Sequence, residues 1–303
     1  MNMKTDAGET LEQWWKGGDH LTLSLPGQDP TQQVRLFYRV QGTGPWLTLV
    51  HGFPTCSWDW QKIATPLARR HRLLLIDLLG YGDSDKPAHH RYSCIEHADL
   101  IEACWRHLGI EETSMLTHDV GSTITQELLA RQKEGHVQTR IATAILLNSA
   151  PYVEHYRPVL ITRLMRHPLT GPFIARGMNE RAFTRSLSRL FSEQHPLSAT
   201  DAHQYWLAMQ RHQGAGNVHE LVQFIAEKKR YKQRWESALE NSPVDLHVFL
   251  GLADPIAGSE LAEDIRQHHP SLKLITYHGI GHFPHLEIPE QVVEDIETTF
   301  QRS

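Results

Sequence analysis

Four short stretches of this chain carry residue types that can do chemistry. They are Leu116-Thr-His-Asp-Val-Gly-Ser122, His51-Gly-Phe-Pro54, Gly251-Leu-Ala-Asp-Pro255 and Gly279-Ile-Gly-His-Phe-Pro-His-Leu-Glu287. In the first, Asp119 stands between Thr117 and Gly121 in a small-x-acid-x-small pattern. Small residues two places either side of a reactive residue let a strand reverse sharply into a helix, because the two backbones come nearly into contact. A hydroxyl at the tip of such a turn needs a base before it can attack. A carboxylate is already an anion at pH 7, and its attack on carbon forms an alkyl-enzyme ester. An Asp just before a helix is also an ordinary helix cap, so the turn needs support from the rest of the chain.

The elements around these stretches supply it. Leu21–Leu25 and Val34–Tyr38 alternate apolar and polar residues, with Pro26, Gly27, Asp29 and Pro30 between them, and predict two antiparallel edge strands. Trp46–Val50, Leu73–Ile76, Ser114–Leu116, Ile141–Leu147, Leu246–Leu250 and Leu272–Thr276 read as buried strands. Helical spacing falls at Trp58–Arg69, Ser93–Leu108, Ile124–Ala130, Ser259–His268 and Pro289–Gln301, and a glycine-rich loop at Asp77–Pro87. This alternation predicts an α/β fold with a mostly parallel sheet flanked by helices. From Tyr152 to Glu240 the strands stop. The expected organisation is core at 1–151, a helical cap at 152–240, and core again at 241–303. Catalytic groups in open parallel sheets gather at the carboxyl ends of strands. Here those ends deliver His51-Gly52-Phe53-Pro54, Asp119, Asn148, Asp254 and His282.

Composition narrows the classes. A chain of 303 residues with 40% apolar residues fills a sizeable core, and a formal charge of −5 with mixed signs makes no case for nucleic acid or an anionic membrane. Cys56, Cys94 and Cys104 form no C-x-x-C pair, which fits a reducing compartment, and cytoplasm is the expected location. No apolar leader and no run of about 18 apolar residues is present, so neither secretion nor membrane anchoring is expected. His282-Phe-Pro-His285 invites a metal reading, but no H-E-x-x-H or zinc-type Cys/His grouping accompanies it, and neither metal nor cofactor is expected. The expected partners are a small apolar substrate and water, with a homodimer left open.

The chain order nucleophile, acid, His is that of the α/β-hydrolase fold. From about Leu36 onward the sequence resembles the aspartate-nucleophile branch of that superfamily, the epoxide hydrolases and haloalkane dehalogenases. It is similar in more detail to the family of the mesoderm-specific transcript protein and its bacterial relatives, through His51-Gly-Phe-Pro-Thr-Cys-Ser-Trp-Asp-Trp60, Leu79-Gly-Tyr-Gly-Asp-Ser-Asp-Lys-Pro87, His118-Asp-Val-Gly121 and Lys228-Lys-Arg-Tyr-Lys-Gln-Arg-Trp235. The resemblance implies that Asp119 attacks carbon, His282 activates water, and Asp254 holds the imidazole. The N–H groups of Phe53 and Val120 would form an oxyanion hole, worth about 3 kcal/mol per donor.

For the reaction, the resemblance implies Trp after the nucleophile and often Asn in the HG-x-P loop of haloalkane dehalogenases, and Arg after the nucleophile of fluoroacetate dehalogenases. This chain has Val120 and Phe53, so dehalogenation is disfavoured. Epoxide opening needs an O–H donor from the cap. Candidates for the donor and for substrate contact are Trp58, Asn148, Tyr152, Tyr156, Tyr205 and Tyr231, with His155 and His212 as substitutes. Epoxide hydrolysis is the first expectation, an ester or lactone hydrolase the second, and an interaction module with a vestigial triad the non-enzymatic alternative. The basic run Lys228–Arg234 is expected to be a solvated helix face.

Overall fold

A computed structural model describes residues 9–25, 32–240 and 242–302. The turn formers Pro26, Gly27, Asp29 and Pro30 lie outside the described residues.

Strands form where the apolar runs predict them. They are β1 (Asp19–Ser24), β2 (Gln33–Gln41), β3 (Trp46–Val50), β4 (Arg72–Ile76), β5 (Glu112–His118), β6 (Arg140–Leu147), β7 (Asp245–Gly251) and β8 (Lys273–Tyr277). Among the described residues they make one sheet in the order β1-β2-β4-β3-β5-β6-β7-β8. β2 pairs antiparallel with both β1 and β4, and every other pairing is parallel. β3 and β5 sit in the middle, covered on both faces, which is why β3 reads as a nearly unbroken apolar run and why Met115 to His118 of β5 are all buried, polar ones included; β1 at the edge alternates. Their carboxyl ends therefore bring His51 and Asp119 side by side.

The expected helix over Trp58–Arg69 is shorter and divided. A single 3-10 turn, Ser57–Trp60, leads into Gln61–Leu67. Ser93 caps the helix Cys94–Leu108 by accepting from the Glu96 N–H, and Gly109, at φ 64°, ends it.

The helix after Asp119, Val120–Lys133, has every residue from Val120 to Ala130 buried. It carries polar residues on all sides because it lies between the sheet and further helices. Gln126 donates to the carbonyls of Pro151 and Trp235, and Glu127 accepts from Arg131, Arg234 and the Trp235 indole. Between β6 and β7 the described chain forms only helices. Asn179 caps Glu180–Ser188 and Ser198 caps Ala199–Gln210. Lys86 fastens this segment to the loop after β4: its buried ammonium donates to the carbonyls of Gly82, Ala208 and Arg211.

Most of the run Lys228–Arg234 is the solvated face expected, with Lys229, Arg230, Lys232 and Gln233 exposed, but its two ends are not. Lys228 is buried and donates to the Ala150 carbonyl at 2.7 Å, while Arg234 and Trp235 are spent on Glu127. The reason is the polar surface of helix Val120–Lys133, which needs donors from whatever packs on it.

Candidate active site

Asp119 occupies the position of a helix cap without capping the helix. Its backbone has φ 48° and ψ −113°, and its side chain accepts no bond from the first turn. Holding a non-glycine residue there costs of the order of 1–3 kcal/mol. The side chain turns across the sheet instead, and Oδ2 accepts the Phe53 N–H at 3.0 Å. The close approach explains the small neighbours: a Cβ on Gly121 would stand 2.4 Å from the Val50 carbonyl oxygen. Thr117 fits because its hydroxyl bonds to Ser122 Oγ at 3.1 Å and to the Ile145 carbonyl.

Burial raises the Asp119 pKa. Four features oppose it: the charge of His282, the Phe53 N–H, the charge of Lys228 and the Val120 N–H. Of the two backbone donors expected around this carboxyl, the Phe53 N–H bonds it directly and the Val120 N–H acts on it as a nearby dipole, and a third influence, Lys228, was not expected.

His282 and Asp254 meet at the ends of β8 and β7. His282 Nδ1 donates to Asp254 Oδ2 at 2.8 Å, which leaves a lone pair on Nε2, and Nε2 is buried without a protein partner. Burial disfavours charge on this ring, yet the Asp254 carboxylate, then Asp119 and Asp59, outweigh it, and the pKa is raised. Asp254 is itself fixed. Its Oδ1 accepts from the Ile256 N–H, and Oδ2 also accepts from Asn148 Nδ2 at 2.9 Å. Asn148, at φ 36°, further bonds the Gly281 carbonyl and the Gly251 N–H, so it ties the loops of the acid and the histidine together. It is a positioning residue and does not reach the substrate space. Glu287 holds the histidine loop from the other side through the N–H groups of Gly281, Phe283 and Ser192. Its spacing from His282 in the last motif is the only sequence signal for that role.

Beside Asp119 lies a cavity of about 290 Å³ lined by Phe53, Tyr156, Met165, Phe183, Met209 and Phe224 among others. Among the described residues Asp119 is the one charged residue on its wall. Of the cap candidates, only Tyr156 faces it. Trp58 is buried against Tyr205 and donates to the Glu9 carbonyl; Tyr152 stacks on His269 with ring centroids 3.8 Å apart; Tyr231 packs on Trp235. Tyr205 is buried with its hydroxyl against Asp59. His155 pairs with Asp264 and His212 with Asp83. These side chains were drawn into packing and ion pairs, as aromatic and imidazole groups are when a helical layer is closed over a core. Burial, followed by the negative charge of Asp119, raises the Tyr156 pKa well above its ordinary value, so its hydroxyl keeps its proton.

Behind the nucleophile is a second buried polar group that the sequence did not reveal. Ligand-type atoms of Asp59, His118 and His285 lie within 4.8 Å of one another. His118 Nε2 faces the His282 carbonyl at 2.9 Å; a carbonyl only accepts, so the proton sits on Nε2 and Nδ1 carries a free lone pair. Burial lowers the pKa values of both histidines and lifts Asp59 to about 7. The group is enclosed, and Asp59 Oδ1, His118 Nδ1 and both ring nitrogens of His285 are buried without a hydrogen-bond partner.

A strained acid on a strand-to-helix turn, backbone donors at its carboxyl and an Asp-His pair at the next strand ends, on a mostly parallel sheet, define an α/β hydrolase. The sequence matches the family described as alpha/beta hydrolase fold over residues 45–289, and the chain belongs to that family. Among its relatives are LipZ of Mycobacterium tuberculosis, named as a hydrolase, and the human mesoderm-specific transcript homolog protein. LipZ is 34% identical over 286 residues, covering 94% of this chain and 96% of LipZ. The human protein is 34% identical over 268 residues, covering 84% of this chain and 80% of that one. A haloalkane dehalogenase structure, DbeA from Bradyrhizobium elkani, superposes with a TM-score of 0.75 over 94% of this chain and all of that one, at 20% identity, which speaks to the fold alone. The fold and the family expected from the sequence are those found, and no helix among the described residues is long and apolar enough to cross a membrane.

Proposed function

We propose that this hydrolase works through a covalent ester on Asp119 and that its substrate is an apolar epoxide of small or medium size. The observation that carries the reading is the shared cavity of Asp119 and Tyr156: an anion and a retained O–H on the wall of one otherwise apolar space. With Oδ2 held by the Phe53 N–H, Oδ1 attacks an epoxide carbon. The C–O bond breaks, and the alkoxide takes the Tyr156 proton. His282 Nε2 then removes a proton from water, and the hydroxide attacks the ester carbonyl. The negative charge builds on the oxygen that the Phe53 and Val120 N–H groups stabilise. Collapse releases the diol and regenerates the carboxylate, and the imidazolium proton returns to the Tyr156 phenolate.

Dehalogenation is the weaker reading because a departing halide is stabilised by N–H donors, and neither the Val120 nor the Phe53 side chain supplies one. An ester or lactone hydrolase using the same Asp-His pair is the second reading. It has no use for the Tyr156 proton at the first step.

The test is a trapping experiment with His282→Gln, which blocks the second step. Intact mass after exposure to styrene oxide, a haloalkane or a p-nitrophenyl ester should show an adduct from the epoxide, mapped to Asp119 and absent in Asp119→Asn. No adduct from any of the three would end the covalent reading.

A further inference from the structure

The cavity wall formed by Leu160–Met165 and Thr170–Arg176 has two contrasting faces. Ile161, Met165 and Ile174 point into the cavity. On the outside, Leu160 and Leu164, one turn apart, are 69% and 42% exposed, and Leu169 and Phe173, also one turn apart, are 72% and 74% exposed. The two helices pack on each other, so the four side chains belong to one outer corner of the molecule. Single exposed leucines need no explanation, but four on two adjacent short helices, with no apolar neighbour covering them, do.

The charge around them is equally uneven. Residues 157–189 contain seven arginines, Arg157, Arg163, Arg166, Arg176, Arg181, Arg185 and Arg189, against a single acid, Glu180, in a chain whose net charge is −5. Among the described residues only Arg157 of the seven has a carboxylate partner, Glu260. Glu180 is paired with His203. Arg163 and Arg176, both exposed, lie on the same two helices as the protruding leucine and phenylalanine side chains, and that composition suits an element in the headgroup region of an anionic bilayer. The even overall charge conceals it.

We propose that this corner docks on an anionic lipid surface, with Leu160, Leu164, Leu169 and Phe173 entering the acyl boundary and the arginines facing lipid phosphates. The docking proposed is peripheral: no helix among the described residues is long and apolar enough to cross a bilayer. The wall is one helix thick, and its inner face is the cavity beside Asp119, so an apolar molecule dissolved in the bilayer would have only that layer to pass. The docking does not depend on which reaction Asp119 carries, because it is read without turnover.

The test uses the full chain and vesicles of phosphatidylcholine with or without phosphatidylglycerol, at low and high salt. Expected is sedimentation with the phosphatidylglycerol vesicles only, weakened by salt. It should be weakened roughly tenfold or more in Leu169→Asp/Phe173→Asp and in Arg163→Glu/Arg176→Glu, all four positions being exposed, with circular dichroism unchanged. A Phe173→Trp variant should blue-shift its emission on binding. Equal binding to both vesicle types, no binding, or binding unaffected by either double variant overturns the proposal. So does a wild-type dimer in light scattering that Leu169→Asp/Phe173→Asp dissolves, since a second copy would then cover the patch.

Discussion

The ammonium of Lys228 stands 5.6 Å from the centroid of the Tyr156 ring and is held there by the Ala150 carbonyl. A buried cation over the one tyrosine that faces the cavity, and within reach of the Asp119 charge, links the helical segment to the chemistry beneath it. Burial pushes the Lys228 pKa down to about 8, although Asp119 supports its charge. The unfolded chain, with lysine near 10.5, therefore binds more protons than the folded one between about pH 8 and 10.5, and stability should rise with pH in that window. A displacement of this size corresponds to roughly 3 kcal/mol. Lys228→Met should flatten the rise in denaturant melts. It should also shift the acid limb of adduct formation on Asp119 to higher pH, because the carboxylate loses a nearby positive charge. An unchanged slope above pH 8 would show that Lys228 is not the titrating group.

Tyr156 itself makes the sharpest catalytic prediction. Tyr156→Phe leaves the ring and removes only the proton, so turnover of an epoxide should fall by about 10²–10⁴ while p-nitrophenyl ester cleavage, if present, changes little. Tyr205→Phe, whose hydroxyl lies against Asp59 outside the cavity, serves as the control and should retain epoxide turnover.

Much of this was legible in the sequence, for a definite reason. Most strands carry their pattern locally: β1 alternates at the antiparallel edge, and β3, β4 and β6, covered on both faces, are apolar along most of their length. The residues placed at the strand ends inherit that clarity: Asp119, Asp254 and His282 stand where the strands deliver them. What was not legible depends on contacts distant in sequence. Lys228 reads as surface until the polar helix Val120–Lys133 is known to lie beneath the segment it belongs to. Asn148 is visible as a strand-end residue, but its bond to Asp254 spans 106 positions. Four cap tyrosines look equivalent in the sequence, and only packing separates Tyr156 from the rest.

The arrangement of Asn148, Asp254 and His282 sets the pH dependence of the second step. The water-activating form of His282 is neutral, and its pKa is raised by Asp254 despite burial. Hydrolysis of the ester should therefore fail on the acid side with a midpoint above the 6.5 of free imidazole. Asp254→Asn removes the charge but keeps the size; with Asp119 esterified, burial is then opposed only by the more weakly acting Asp59, so the midpoint should fall, and the rate should drop by about 10⁴. Asn148→Ala keeps both members of the pair but frees the carboxylate, and it should slow ester hydrolysis while leaving adduct formation nearly intact. Single-turnover measurements over pH separate the two steps, and a midpoint that does not move in Asp254→Asn would remove the acid from its assigned role.

The turn at Asp119 gives a stability prediction that needs no substrate. Gly121→Ala places a methyl group 2.4 Å from the Val50 carbonyl oxygen and 2.8 Å from that of His51, both backbone atoms of the central strand's end. Neither can retreat without breaking the Phe53 contact to Asp119, so the loss should be about 3 kcal/mol or more, comparable with overpacking a core. Gly135→Ala is the contrast. Gly135 has φ +74° but open space around its would-be Cβ, so only the left-handed backbone is penalised, at roughly 1–2 kcal/mol. Urea melts of the two variants should rank in that order. If Gly121→Ala were as stable as Gly135→Ala, the strand and helix at Asp119 would not approach as closely as the turn requires.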